Sequence, residues 1–340
     1  MHGIGACVRE MAGRGLEMAI LSAMLNRTVL WMWIVTLTGP LVTASLAQGT
    51  ETPPTDQAVA SLGQDPEQSF AMQWSLTGGY AYQLRARIND GGRVSWARTH
   101  AHLEGQMPIN DELDLLVGLR YQNDDFGFDG AVGNWGDVNT VQLDAALRWQ
   151  ATDRWQIFGG GQVIFSAEQG AGFDDAFTGG GAIGAVYSVN DRLSLGLGVG
   201  VRTRILDDAL IYPVVIVEWG ITDQLRLSTR LTSGWANQTG VELIYGLAEG
   251  VQVGVAAVYD YQQFRLSDDN TTAAGGAGES EMLPVCIFIA YDIADNVAVT
   301  AFVGANVAGS LKATDTSRTT VWETDCDAAP VVGIQATIRF

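Results

Sequence analysis

The sequence predicts an all-β protein, a transmembrane antiparallel up-and-down β-barrel of about fourteen strands, with twelve as the alternative. Three observations predict it. Residues 71–340 carry short runs of alternating hydrophobicity broken by Gly, Asn and Asp, with no long amphipathic helix and no βαβ alternation. One tight-turn pattern recurs along that stretch. Aromatic residues share the parity of the apolar residues and cluster at strand ends. A soluble chain of 340 residues would instead divide into two domains or build one large α/β domain.

The N-terminus precedes this pattern. Thr28 to Ala47 is the one long apolar stretch, with Arg27 before it, Gly39-Pro40 breaking it, and Ser45 and Ala47 as small residues at −3 and −1. That is the layout of a secretory signal cut before Gln48. Residues 1–47 therefore read as a cleaved leader, and a start at Met24 would place Arg27 close behind the first residue. A retained membrane anchor is the competing reading. Residues 48–70 are polar and proline-bearing, a flexible periplasmic lead-in. Cys7 lies in the leader. Cys286 and Cys326 survive processing and could pair in an oxidising envelope, and spacing alone leaves that open.

The turns come next. They are Ile109-Asn110-Asp111, Ala151-Thr152-Asp153-Arg154, Val189-Asn190-Asp191-Arg192, Ile221-Thr222-Asp223-Gln224, Leu247-Ala248-Glu249-Gly250 and Ile293-Ala294-Asp295-Asn296. Asn and Asp favour such turns because their side chains bond the local backbone. The segments between them hold two membrane strands of about 9–11 residues each. Seven hairpins make fourteen strands, with the tight turns periplasmic. The longer acidic connections, 122–137, 166–176, 266–281 and 308–328, are then extracellular.

The aromatics fix the register. Trp149, Trp155, Tyr187, Trp219, Tyr245 and Tyr291 lie beside the tight turns, on the parity of the apolar residues of their strands. Equal parity is one face of a strand, so they form an interfacial girdle. A second set follows ten residues along: Phe165, Phe177, Trp235 and Tyr261. At about 3.3 Å per residue and a tilt of about 40°, ten residues span a band of about 25 Å. A soluble β-sandwich would not cluster aromatics at both strand ends.

The last strand, Val332 to Phe340, alternates and ends on an aromatic, which joins Phe340 to the girdle. This resembles the C-terminal assembly signal of outer-membrane barrel proteins. Residues 71–340 resemble the broad class of uncharacterised, porin-like bacterial outer-membrane β-barrels. The resemblance implies a cell outer-membrane location, a lipid and lipopolysaccharide environment, and assembly by the barrel-insertion machinery.

The opposite parity lines the lumen. It carries Arg98, His100, His102, Glu104, Arg120, Asp144, Arg148, Arg202, Arg204, Glu218, Arg226, Arg230, Glu242 and Arg339. Charges are costly against lipid, so their shared parity supports the register. They read either as a charged constriction or as pairs bracing the wall. Small inward residues, Thr178, Gly180, Ala182, Gly184, Gly196, Gly198 and Gly200, leave space or admit a loop. His100, His102 and Glu104 could bind zinc, but polar lumen residues are the simpler reading, so no metal and no cofactor is expected. No serine is placed to partner an inward histidine, and no enzyme activity is expected.

The net charge is −19, and loss of a leader of net +1 leaves −20. Much of the acid falls in the outer connections: Asp124, Asp125, Asp129, Asp174, Asp175, Asp207, Asp208, Asp268, Asp269, Asp315, Glu323, Asp325 and Asp327. These read as a solvated surface that attracts cations to the mouth. Lys312 is the single lysine, and nucleic acid is not an expected partner. The leading functional expectation is a passive channel for small polar solutes or cations. A closed structural or surface-interaction barrel is the alternative. A hydrophobic-substrate channel of the fatty-acid type fits less well, because 48–70 is short and polar. N-terminal sequencing of the mature protein is expected to begin at Gln48, and a mature chain beginning near Met1 overturns the leader assignment.

Overall fold

The computed structural model describes residues 72–89, 91–130, 135–172, 175–231 and 239–340. The leader, the lead-in, Cys7, Asp174 and Trp235 lie outside the described residues. The described chain contains fifteen strands and no helix. They are β1 (Gln73–Arg87), β2 (Arg93–Asn110), β3 (Leu113–Asp129), β4 (Val138–Gln150), β5 (Trp155–Glu168), β6 (Phe177–Asn190), β7 (Leu193–Arg204), β8 (Asp207–Gly220), β9 (Leu225–Ser228), β10 (Thr239–Ala248), β11 (Val251–Arg265), β12 (Ala277–Ala294), β13 (Val297–Thr314), β14 (Thr320–Cys326) and β15 (Ala329–Arg339).

Each strand pairs antiparallel with its neighbours, and β1 pairs with β15 to close the ring. β14 and β15 are one stave. Gly309↔Cys326 and Asn306↔Ala329 keep one register on β13, and Gln83↔Val331 and Ile88↔Cys326 keep one on β1. The barrel therefore has fourteen staves, the number that the turn pattern predicts.

All six tight turns fall where the sequence places them, and two chemistries build four of them. The Asn110 and Asn190 side chains accept hydrogen bonds from the amides of Glu112 and Arg192, both at 2.9 Å. The Thr152 and Thr222 hydroxyls accept from the amides of Trp155 and Leu225, at 3.1 and 2.9 Å. A fifth, between β10 and β11, uses Gly250 at φ +68°.

The outer connections are shorter than expected. The ladders run on to Asp129 and Glu168, resume at Ala277, and continue to Thr314 and from Thr320. Backbone pairing does not stop where the sequence turns polar. It stops where the turn residues are, so polar stretches read as loops are strand here. Asp124 is the clearest correction. It is an inward residue of β3, 1% exposed, not a loop carboxylate.

Parity divides the wall into two faces. Outside, Leu143, Leu147, Leu195, Leu197, Val199, Ile211, Ile287 and Ile334 are exposed, with Leu197 and Ile211 above 70%. Such a belt is stable only against hydrocarbon. Trp149, Trp155, Trp219, Tyr245, Tyr291 and Phe340 are exposed at its edge, and Tyr187 is half-buried against Trp155, ring centroids 4.8 Å apart.

The interior is most densely filled at the end away from the tight turns. There Val94, Trp96, Phe126, Trp135, Phe264, Leu311 and Trp322 belong to one buried apolar cluster. The glycine-rich inner face of β6 and β7 is likewise occupied by neighbouring side chains. The Tyr212 ring lies over Gly200, its directly opposite partner, where an added Cβ would come within 2.3 Å of it. Gly200→Val is expected to lower stability by about 1–3 kcal/mol through overpacking, read as an earlier unfolding midpoint in lipid.

Candidate functional site: a charged layer and an inward hairpin

The lumen is blocked by a stretch of its own wall. β11 alternates in burial up to Tyr261, and then Gln262, Gln263 and Phe264 are all buried in succession. A wall strand hides one face, whereas this end hides both. One face meets the inner surfaces of β2 to β5. Asp260 accepts from Arg98 at 2.7 Å, Gln262 donates to the Thr140 hydroxyl at 3.1 Å, and Phe264 packs on Trp135 with centroids 5.4 Å apart. Arg265 even makes a parallel bridge with Ala167 of β5. The other face meets β7 and the β7–β8 turn. The Gln263 side chain accepts from the Ile205 amide at 2.7 Å, and Arg202 lies over the Tyr261 ring. Among the described residues, β11 loses its β10 partner after Tyr259, while β12 stays paired with β13 as far as Ala277↔Thr314, with a register shift at Pro284. Proline brings no N–H to a ladder, which makes a bulge its natural site.

The connection 266–276 is held by Glu168. Its carboxylate accepts from the amides of Gly136 and Ser267, at 2.9 and 2.8 Å, and from the Asn270 side chain at 3.0 Å. One buried carboxylate thus ties three segments together across the mouth. The Arg265–Asp175 pair, at 3.4 Å, adds to this closure.

Beneath the hairpin lies a charged layer. Arg98 donates through Nε to Asp124 at 2.5 Å and through Nη1 to Asp260, and its guanidinium carbon lies 5.2 Å from the Trp96 ring centroid. Gln122 also donates to Asp124, at 2.6 Å. His100 packs on Gly79, and His102 stands opposite Arg120 with its Nδ1 3.8 Å from Glu104. Asp144 accepts from Gln142 at 3.3 Å.

At the tight-turn end the first inward positions are half-exposed and polar, with Ser75, Gln106, Gln156, Ser188 and Ser194 facing in. The next inward positions, among them Leu116, Phe158, Val186, Ile216 and Ile244, are buried and apolar. Arg148 pairs with Asp114 there, and Glu218 accepts from Ser228 at 2.9 Å with Arg230 at 3.5 Å. Arg226 is half-buried on the same face, Glu242 is buried opposite Ser228, and Arg339 is exposed at the rim.

The structure therefore groups Arg98, His100, His102, Glu104, Arg120 and Asp144 at mid-lumen. Arg148, Glu218, Arg226, Arg230 and Glu242 lie nearer the tight-turn end. Arg204 belongs to neither group. It is taken up at the β7–β8 hairpin tip by Asp207 at 2.8 Å and by the Asp208 carbonyl. Tyr261, expected in the outer aromatic set, instead faces Arg202 across the lumen, because its strand has left the wall. Cys286 and Cys326 stand as buried thiols with no disulfide. Asp260, Gln262 and Glu168 were missed. Asp260 shares parity with Ala256 and Val258, a signal that a parity reading could have used.

A family model described as a domain of unknown function, DUF6268, matches residues 145–338. The chain belongs to that family. The matched stretch runs from β4 through β15 and includes the inward hairpin. Several solved barrels are similar in structure at low identity. The toluene transporter TodX of Pseudomonas putida is 8% identical over 90% of this chain and 96% of that one, with a TM-score of 0.42. The COG4313 outer membrane channel from Pseudomonas putida F1 is 11% identical over 82% and 100%, at 0.41. The KdgM porin is 10% identical over 76% and 97%, at 0.26. No curated protein matches.

Asp260→Ala is expected to destabilise the folded barrel by about 1–3 kcal/mol, since it removes one buried charge-assisted hydrogen bond while Asp124 still neutralises Arg98. Asp223→Ala, which breaks the exposed Arg192 pair, is expected to cost about 0–1 kcal/mol. Urea midpoints of the two variants in lipid check the contrast, and equal shifts overturn it.

Proposed function

We propose that this protein is an outer-membrane channel for small polar solutes or cations, held closed by its own β11–β12 hairpin. The observation that carries the reading is the Arg98–Asp124–Asp260 layer inside the barrel. The end away from the tight turns shows that apolar side chains fill this lumen well. Replacing buried ion pairs by apolar residues is often neutral or stabilising. A plug needed only for rigidity has no use for charges at mid-lumen. A conduit that is hydrated when the hairpin swings away does.

A second reading is a permanently closed barrel that displays acidic loops. The burial of the charged layer itself favours it, with Arg98, His102, Arg120 and Asp124 all below 9% exposed.

Planar-bilayer recording separates the two. The wild type is expected to give discrete conductance steps. In a Cys286→Ala, Cys326→Ala background, Ala167→Cys with Arg265→Cys puts two thiols at bridged positions of β5 and β11. Oxidation is expected to abolish the steps and reduction to restore them. Folded wild-type protein with no steps at any voltage or salt overturns the channel. Steps indifferent to oxidation of the double-cysteine protein overturn the hairpin as its gate.

A further inference from the structure

Most inward cations of this barrel meet a carboxylate. Arg98 has two, and Arg148, Arg230 and Arg265 have one each. Arg202 is different. It is 5% exposed on the inner face of β7, and no carboxylate among the described residues pairs with it. Its Nε has no hydrogen-bond partner, and its guanidinium carbon stands 5.6 Å from the Tyr261 ring centroid.

A second orphan lies beside it. Tyr212 is 2% exposed, and its hydroxyl has no partner. In the β7–β8 ladder Tyr212 is opposite Gly200, so it is the diagonal neighbour of Arg202 on the same face. The residue directly opposite Arg202 on β6 is Gly180, and the preceding inward residue of β7 is Gly200. On the β6 side the guanidinium thus has no side chain beside it, while on the β8 side Leu210 is its direct partner and the Tyr212 ring covers Gly200. Tyr261, on the inward hairpin, faces it from across the lumen.

A buried, uncompensated charge is costly, and a hydroxyl without a partner adds to the cost. Both are relieved together by one anion. The guanidinium fork matches the two oxygens of a carboxylate, and a phenol can donate to the same group. The tyrosine rings offer apolar surface to whatever body the carboxylate carries. We propose that Arg202, Tyr212 and Tyr261 form a binding subsite for a small organic carboxylate, at the seam between the inward hairpin and the β7–β8 wall. The subsite does not depend on conduction. It requires only the folded barrel.

The test uses the full barrel folded in detergent micelles, with sodium benzoate as the probe and sodium chloride at equal ionic strength as control. Benzoate is expected to raise the thermal unfolding midpoint saturably, beyond chloride. Apparent affinity is expected to fall at least tenfold in Arg202→Met and severalfold in Tyr212→Phe, with Arg202→Lys between wild type and Arg202→Met. Without benzoate, Arg202→Met is expected to unfold no earlier than wild type, because it removes a charge that nothing offsets. A wild-type midpoint that benzoate leaves unchanged overturns the subsite, as does a benzoate shift that survives in Arg202→Met. If Arg202→Met does not fold, Tyr212→Phe and Tyr261→Leu carry the test, and an undiminished shift in both overturns it. Binding by a protein that never conducts would sink the channel and leave the subsite standing. Conductance without binding would do the reverse.

Discussion

In hydrocarbon no water is available to backbone N–H and C=O groups, so every ladder must find a partner. The rest of this structure follows from that constraint. It forces the sheet to close, as β1 does on β15, and closure fixes parity for every strand at once. Parity then sorts the sequence into an apolar outer belt and an inner face where charge is tolerated. A one-residue slip would exchange the two faces, which is costly with Arg on one side and Leu on the other. The Asn- and Thr-capped turns set the register from which the parity runs.

Closure at fourteen staves creates a second problem. The interior is too wide for wall side chains alone to fill. The chain meets it partly with rings laid across glycines, as Tyr212 over Gly200, and partly by turning the end of the β11–β12 hairpin inward, where β11 parts from β10 while β12 stays paired with β13. The bent hairpin keeps its own ladder, so its backbone stays paired while both of its faces gain contacts. Glu168 then satisfies amides that the connection 266–276 would otherwise bury unpaired. The plug is thus a continuation of the sheet and needs no separate domain.

These two layers of organisation differ in how far they were legible. Turns and parity are local, and residues such as Asn110, Thr152 and Trp149 announce them within a few positions. The fourteen staves and the belt followed from those signals. The length of the outer strands did not, because Asp124 and its acidic neighbours look like loop chemistry while pairing as strand. The placement of Tyr261 and Asp260 was not legible either. Both depend on β11 leaving the wall near its end, and that bend is a tertiary event whose one local trace is Pro284. The inward residues were named from parity, but not their grouping, since Arg98 and Asp260 are 162 positions apart and meet only when the hairpin crosses the lumen.

The same bend explains why charge sits where it does. Asp260 is an inward residue of β11 at the level where that strand begins to leave the wall, so it faces Arg98 across the interior, not beside it. The pair therefore joins the hairpin to the opposite wall, and Asp124 holds the guanidinium on the wall side. If the hairpin moves away, Arg98 keeps one carboxylate and stays neutralised, while Asp260 moves with the hairpin toward water. An apolar contact at this level would leave two exposed greasy faces on opening, with a hydrophobic penalty of about 25 cal/mol per Å² exposed. An ion pair loses its Coulomb attraction but recovers hydration on both partners. A charged contact is thus the chemistry with the smaller free-energy difference between closed and open states. Under the proposed channel reading, that is a reason for an ionic layer where the end of β11 meets the opposite wall.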